Sequence, residues 1–494
     1  GDASTFNDSE GVLMAEISAL ANDGLKRSIS INDGSSSNRF ILRFGITDNT
    51  IEVVSVSNNT AVLLSSVTVS NTLISSKVAV KWDSNNYVFY VNGIIETSIN
   101  NLIKPLVLNK LQFNDGNNNL NPFYGNTKQI QYYDSSATVV NKAGLIETVG
   151  SGIPRIDFKD NTKGALLLEP TRSNVLPHSN NYDEWAKGNS TVTSGQIGVG
   201  GSLDAWKLQK NASGGYVSRG GFSYDGVSTF SIFAKAGSVD WLRVTSQSGS
   251  FKFNVNLSNG EVGVTGSLVT STSVEYYGNG WYRCTATGNS LANGFYIKPA
   301  ETDDNTNGVD GSIFIQNAQV ETNSSYATSY IPTSGSAVTR IADVCNNAGN
   351  DQVFNSSEGV LYIEADILKT SGTGFLASIS NGLSLSESIN IRQQSSGTLS
   401  FQLSSGGSNT FINTTDWSEG INKIALRYNS TGINVYINGN SKGINSAITY
   451  PNMNNLDIAS RPDQIGQLIE LLKVKDVRVY NTTLTDAELQ ALTQ

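Results

Sequence analysis

Histidine is all but missing from this chain: His178 is the one copy among 494 residues, while cysteine and methionine occur twice each. So little His and Cys excludes a Cys/His zinc site and a Ser-His-Asp triad. His178 lies in the polar loop Leu176-Pro177-His178-Ser179-Asn180 and reads as a surface residue rather than a general base. Cys284 and Cys345 build no disulfide framework and read as free, mostly buried thiols. Charged residues are also scarce, at 15% against about a quarter in an average soluble protein. The net charge of −9 excludes nucleic acid as a partner, because phosphate binding needs clustered Lys and Arg. No apolar run approaches the ~18 residues of a membrane span, so no membrane insertion is expected. Gly1-Asp2-Ala3-Ser4 lacks the pattern of a signal peptide and has no initial Met, which reads as a processed or trimmed chain.

In place of charge stand Ser, Thr, Asn and Gly. Hydrophobics at 38% and aromatics at 9% suffice for packed cores. The length suits about three domains. Phe6-Asn7-Asp8-Ser9-Glu10-Gly11-Val12-Leu13 returns 348 residues on as Phe354-Asn355-Ser356-Ser357-Glu358-Gly359-Val360-Leu361. Val91-Asn92-Gly93 is matched by Ile437-Asn438-Gly439, and Lys128 with Tyr133-Asp134 by Lys475 with Tyr480-Asn481. Anchors at nearly one offset imply two copies of one domain, at 1–149 and 343–494, around an unrelated segment at 150–342.

Nearly every segment reads as strand. Val78–Trp82, a turn at Asp83–Asn86 and Tyr87–Val91 form a strand-turn-strand that ends in Asn-Gly, a strong hairpin signal. Lys423–Tyr428 and Ile433–Ile437 repeat it. Short alternating strands with turn signals every ~8–12 residues indicate antiparallel sandwiches. One helix is expected, where Thr485 and Glu488 form a capping box ahead of Leu489 and Leu492. The expected fold is all-β: three consecutive antiparallel β-sandwich (jelly-roll) domains, the first and third homologous.

Glu358-Gly359-Val360-Leu361, the strand-turn-strand ending in Asn-Gly, Val477–Asn481 and Leu484–Leu489 together resemble the concanavalin A-like lectin/glucanase superfamily, laminin-G-like type. Copy one matches less well towards its end. The middle segment resembles the carbohydrate-module-like sandwich of bacteriophage head-spike and tail-fibre proteins. That resemblance rests on Gly164–Asn174, Tyr276–Arg283, Ala318-Gln319-Val320-Glu321, Ala327–Thr333 and Val338-Thr339-Arg340. The two resemblances imply a virion surface protein, extracellular, on tail or head, that contacts host glycans. Its partners would then be bacterial surface polysaccharide and other virion subunits; nothing in the sequence fixes an oligomeric state, homo-oligomer included.

The retaining glucanase site sets Glu-x-Asp-x-x-Glu on one strand, with carboxyls ~5–5.5 Å apart. Glu364-Ala365-Asp366 begins that pattern, but Lys369 stands where the last Glu belongs, and copy one has only Glu16-Ile17-Ser18. No catalytic residue is therefore assigned. Asp303, Asn305, Asn307 and Asp310 alternate around Gly308 like the opening of a Ca²⁺ loop, yet Phe314 replaces its bidentate Glu; the competing reading is an ordinary Asn/Gly-rich turn. Sugar binding asks for aromatic platforms beside amides or carboxylates. Trp185 and Trp417, in the polar contexts Asp183-Glu184-Trp185 and Asp416-Trp417-Ser418, are the expected exposed rings, with Tyr276 and Tyr277 as further candidates. Alternation buries one of Trp281 and Tyr282. The expected function is non-catalytic glycan adhesion. Its alternatives are a structural capsid or tail decoration protein and a polysaccharide depolymerase.

Overall fold

The computed structural model describes residues 10–494, except 84–85, 93, 100–104, 117–119, 134–136, 150–153, 221–223, 247, 292–293, 344, 351, 368–372, 447–448 and 462–471. Its regular structure is nearly all β, with one α-helix among the described residues, Asp486–Thr493. All strand pairs between neighbours are antiparallel, and the strands stack in sandwiches.

The two copies share their wiring. One sheet of copy one runs Gly125–Tyr133, Glu10–Ala19, Ser76–Asp83, Asn86–Val91, Ile94–Ile99. Its counterpart in copy two runs Leu472–Tyr480, Gly359–Ile367, Gly420–Asn429, Gly432–Ile437, Asn440–Asn445. The facing sheets agree equally. Thr60–Thr68, Thr50–Ser57, Arg39–Phe44, Arg27–Asn32 and Lys110–Gln112 correspond in order to Ser408–Thr414, Leu399–Ser405, Ser388–Gln393, Gly374–Ser380 and Asn455–Ile458.

Finer details repeat as well. Asn92 and Asn438 take left-handed backbone at φ 51° and 49°, and each side chain accepts the amide of Lys77 or Lys423 at 2.9 Å. A β-bulge leaves Lys128 unpaired opposite Glu16–Ile17, and Lys475 unpaired opposite Glu364–Ala365. A bulge of this kind re-aims a side chain at the sheet surface. Lys128 Nζ lies 3.1 Å from Glu16 Oε1.

Alternation fills each core. Leu13, Ala15 and Ile17 are fully buried on one side of their strand, as are Leu361, Ile363 and Ala365 on theirs. Phe40 stacks on Trp82 at 4.6 Å in the first sandwich. In copy two the opposite sheet face is also covered, by the C-terminal helix: Leu489 packs on Val360, Tyr362, Ala425 and Tyr436. The expected capping box forms, with Glu488 N donating to Thr485 Oγ1 and Thr485 N to Glu488 Oε2. Arg427 fixes the helix start through Leu484 O at 2.9 Å and Asp486 Oδ1 at 2.7 Å.

The middle sandwich sets an eight-stranded sheet against a six-stranded one. Phe230, Phe253 and Phe295 meet in its core beside Cys284. Cys284 and Cys345 are free thiols, buried and half-buried. The approach to this sandwich is shared with copy two: Ile156–Asp157 and Ala165–Leu168 add two strands to the copy-two sheet, Leu166 opposite Val474.

Where the chain leaves that sheet, Glu169 is buried between two guanidinium groups. Its Oε2 lies 2.6 Å from Arg155 Nη2 and 2.8 Å from Arg340 Nη1. Ser329 donates from its amide (2.8 Å) and hydroxyl (2.6 Å), and Arg155 Nη1 also reaches Asp343 at 2.5 Å. Burial alone would raise the Glu169 pKa, but Arg340 and Arg155 hold it down to about 2. The sign follows: this stability is complete above the ordinary value of 4.5 and is lost as pH falls towards 2. Glu169→Gln leaves the buried Arg340 without its anion and Arg155 with Asp343 alone, and should cost about 3–5 kcal/mol in urea unfolding of the full chain. A loss below about 1 kcal/mol would mean that the network contributes little.

Candidate functional site

On the outer face of the eight-stranded sheet, Arg283 and Glu321 tie down the chain that crosses it. Arg283 Nη2 donates to Ser231 Oγ at 3.1 Å and Thr328 O at 2.5 Å. Glu321 accepts from Thr328 N at 2.9 Å and Oγ1 at 2.5 Å, and from Gln319 Nε2 at 2.8 Å. Burial raises the Glu321 pKa. Between the crossing segment and the edge strand Val269–Tyr276 runs a groove of ≈ 260 Å³ walled by hydroxyls: Ser271, Ser273, Thr285, Thr287 and Tyr326, with Glu275 and Arg283.

Glu275 and Arg283 also line a cavity of ≈ 200 Å³ where the middle sandwich meets copy two. Tyr277 and Phe233 form one wall, their rings perpendicular at 5.0 Å. Lys159 Nζ sits 4.9 Å from the Tyr277 ring centre, and burial pushes the Tyr277 phenol up. The far wall is Asp366, Lys473 and the bulge residue Lys475. Lys473 is paired with Asp157 at 2.6 Å; Glu275, Asp366 and Lys475 have no ion pair among the described residues.

A second depression, ≈ 270 Å³, surrounds Trp417 in copy two. The indole is half-buried on the core, and its Nε1 donates to Gly397 O at 2.9 Å. Asp416, paired with Lys442, and Asn438 and Asn440 line the same depression.

The other candidates fall differently. Trp185 is not an exposed ring: it is 2% exposed, stacks near Tyr182 at 4.9 Å and donates Nε1–H to His178 O at 2.9 Å. The reason is a single 3-10 turn, Tyr182–Glu184. Residues three apart share one side of such a turn, so Tyr182 and Trp185 point inward while Asp183 and Glu184 point out. Tyr276 and Tyr277 are not brought together, because neighbours on a strand face opposite ways. Tyr277 lines the junction cavity; Tyr276, 55% exposed, leans on Tyr282 on the other side. Trp281 is the buried member of its pair with Tyr282.

The Asp303–Asp310 loop does not fit a calcium ion. Asp303 accepts from Val264 N at 3.0 Å and Asn254 Nδ2 at 2.9 Å, and Asp310 accepts from Gln209 Nε2 at 2.5 Å and Gly311 N at 2.9 Å. Asn305 Oδ1 accepts the amide of Asn307 at 3.0 Å, so the oxygens of Asp303, Asn305 and Asp310 go to separate partners rather than to one point. Among the described residues no three His, Cys, Asp or Glu side chains gather as a metal site. Glu364 and Asp366 are half-buried on alternate positions of their strand; Lys369 lies outside the described residues. His178 has left-handed backbone, and burial lowers its pKa.

No protein-family model matches this chain, and no curated protein matches it. Among solved structures, the CBM40 module of the Ruminococcus gnavus IT-sialidase is similar at 16% identity and a TM-score of 0.26, over 31% of this chain and 95% of that one. A SAP-like pentraxin of Limulus polyphemus gives 14% and 0.25, over 30% and 74%. Domains LG4-5 of the mouse laminin alpha1 chain give 8% and 0.22, over 96% and 83%. Likeness at this level carries no functional weight; the sandwich fold stands on the strand order itself.

Trp185→Ala should remove about 3–5 kcal/mol from the unfolding free energy of the middle sandwich. Tryptophan fluorescence during urea unfolding checks it, and an unchanged midpoint would put the ring back at the surface.

Proposed function

We propose that this chain is a non-catalytic glycan-binding protein, carried on a phage virion and used for reversible attachment to a bacterial surface polysaccharide. The observation that carries the reading is the Trp417 depression. It combines a half-buried indole, held by its Nε1–H, with two amides and an Asp–Lys pair. An apolar ring face for the sugar and fixed polar groups for its hydroxyls are what pyranose recognition requires. The hydroxyl-lined groove on the middle sandwich supplies a second surface of the same chemistry. Two weak sites on one chain raise avidity without a tight single contact. The virion setting and the bacterial polysaccharide rest on the resemblance of the middle segment to phage spike and fibre proteins. The non-catalytic reading rests on the single His178 and on Lys369 standing where the glucanase pattern needs its last Glu.

A glycan array probed with the wild-type chain and with Trp417→Ala, each with and without chelator, tests this. The expected outcome is binding to a bacterial polysaccharide, weakened about tenfold (about 1.4 kcal/mol) by the substitution and unaffected by chelator. No binding to any glycan, or equal binding by the variant, contradicts the reading.

A further inference from the structure

The same sheet face is covered by a helix in one copy and, among the described residues, by none in the other. In copy two, Tyr362, Ala425 and Tyr436 form one row across three strands, Tyr362 opposite Ala425 and Ala425 opposite Tyr436. The C-terminal helix buries that row to 2%, 0% and 7% exposure beneath Leu489. In copy one the equivalent row is Met14, Ala79 and Tyr90, paired in the same register. All three are part-exposed, and none joins an apolar cluster among the described residues. The chain after Tyr133 does not return as a helix. It forms the hairpin Thr138–Val140 with Ile146–Thr148, held against the middle segment by Thr138 Oγ1 on Tyr330 O at 3.2 Å and Val140 N on Asp157 Oδ1 at 2.8 Å.

We infer that the Met14–Ala79–Tyr90 face of the first sandwich is a docking surface for an amphipathic helix of another polypeptide, one that presents leucines three residues apart. The chemistry of the occupant is read from copy two, where Leu489 and the partly buried Leu492 cover the equivalent row. A second copy of this chain is the poorer occupant. Its own helix is engaged on its own sheet, and moving it would bare Val360 and Tyr362 to water. The inference is independent of glycan binding, which uses the other two sandwiches.

The chain contains only two methionines, and they divide the question: Met14 lies on the proposed surface and Met453 is buried in the copy-two core. Full-length protein labelled with [methyl-13C]methionine is titrated with a synthetic peptide of residues 481–494. The expected result is a saturable shift of the Met14 signal with Met453 unmoved. A peptide with Leu489 and Leu492 replaced by serine should shift neither, and Ala79→Glu should weaken binding at least about tenfold. The inference is overturned if Met14 stays still up to about 1 mM peptide, if both signals move together, or if the serine peptide acts equally.

Discussion

A single carboxylate organises the chain at the junction of two of the three sandwiches. Glu169 is buried where the chain passes from the copy-two sheet into the middle sandwich, and an isolated charge there would cost several kcal/mol. Arg155, Arg340 and Ser329 come to it from three separate stretches of chain, and Asp343 balances the second arginine charge through Arg155. The partners balance one another's charge, so the cluster is stable complete and unstable with one member removed. With Ala165–Leu168 laid beside Leu472–Tyr480, it makes the two sandwiches one body. The junction cavity exists because of that union, since its walls belong to both.

The duplicated domain is finished differently in its two copies. Copy two is closed on both faces, by the facing sheet and by the helix, and it presents Trp417 at one end. Copy one keeps the same frame, down to the bulge lysine and the left-handed Asn of its hairpin, but among the described residues no helix covers its outer face.

Much of the frame was legible in the sequence because it depends on local pattern. Alternation gave the strands, Asn-Gly the hairpins, and Thr485 with Glu488 the helix start. The matched anchors carried the duplication, and the strand order repeats it. The motifs taken from the phage resemblance turned out to be mainly structural: Glu169, Arg283, Glu321 and Arg340 knit the crossing chain to the sheet. What stayed hidden depends on contacts distant in sequence or on a local turn. Nothing near Arg155 announces Asp343, 188 residues on. Trp185 looked exposed because the two acids before it are, and only the three-residue repeat of a 3-10 turn separates them. Asp303 and Asp310 matched a cation loop in spacing, but their oxygens go to Val264, Asn254, Gln209 and Gly311.

The union of the middle and C-terminal sandwiches is best tested by differential scanning calorimetry of the full chain at neutral pH. The account predicts that these two sandwiches melt in one transition, which splits into two when Arg155 and Arg340 are both replaced by methionine. Separate transitions for the two in the unaltered protein would contradict it.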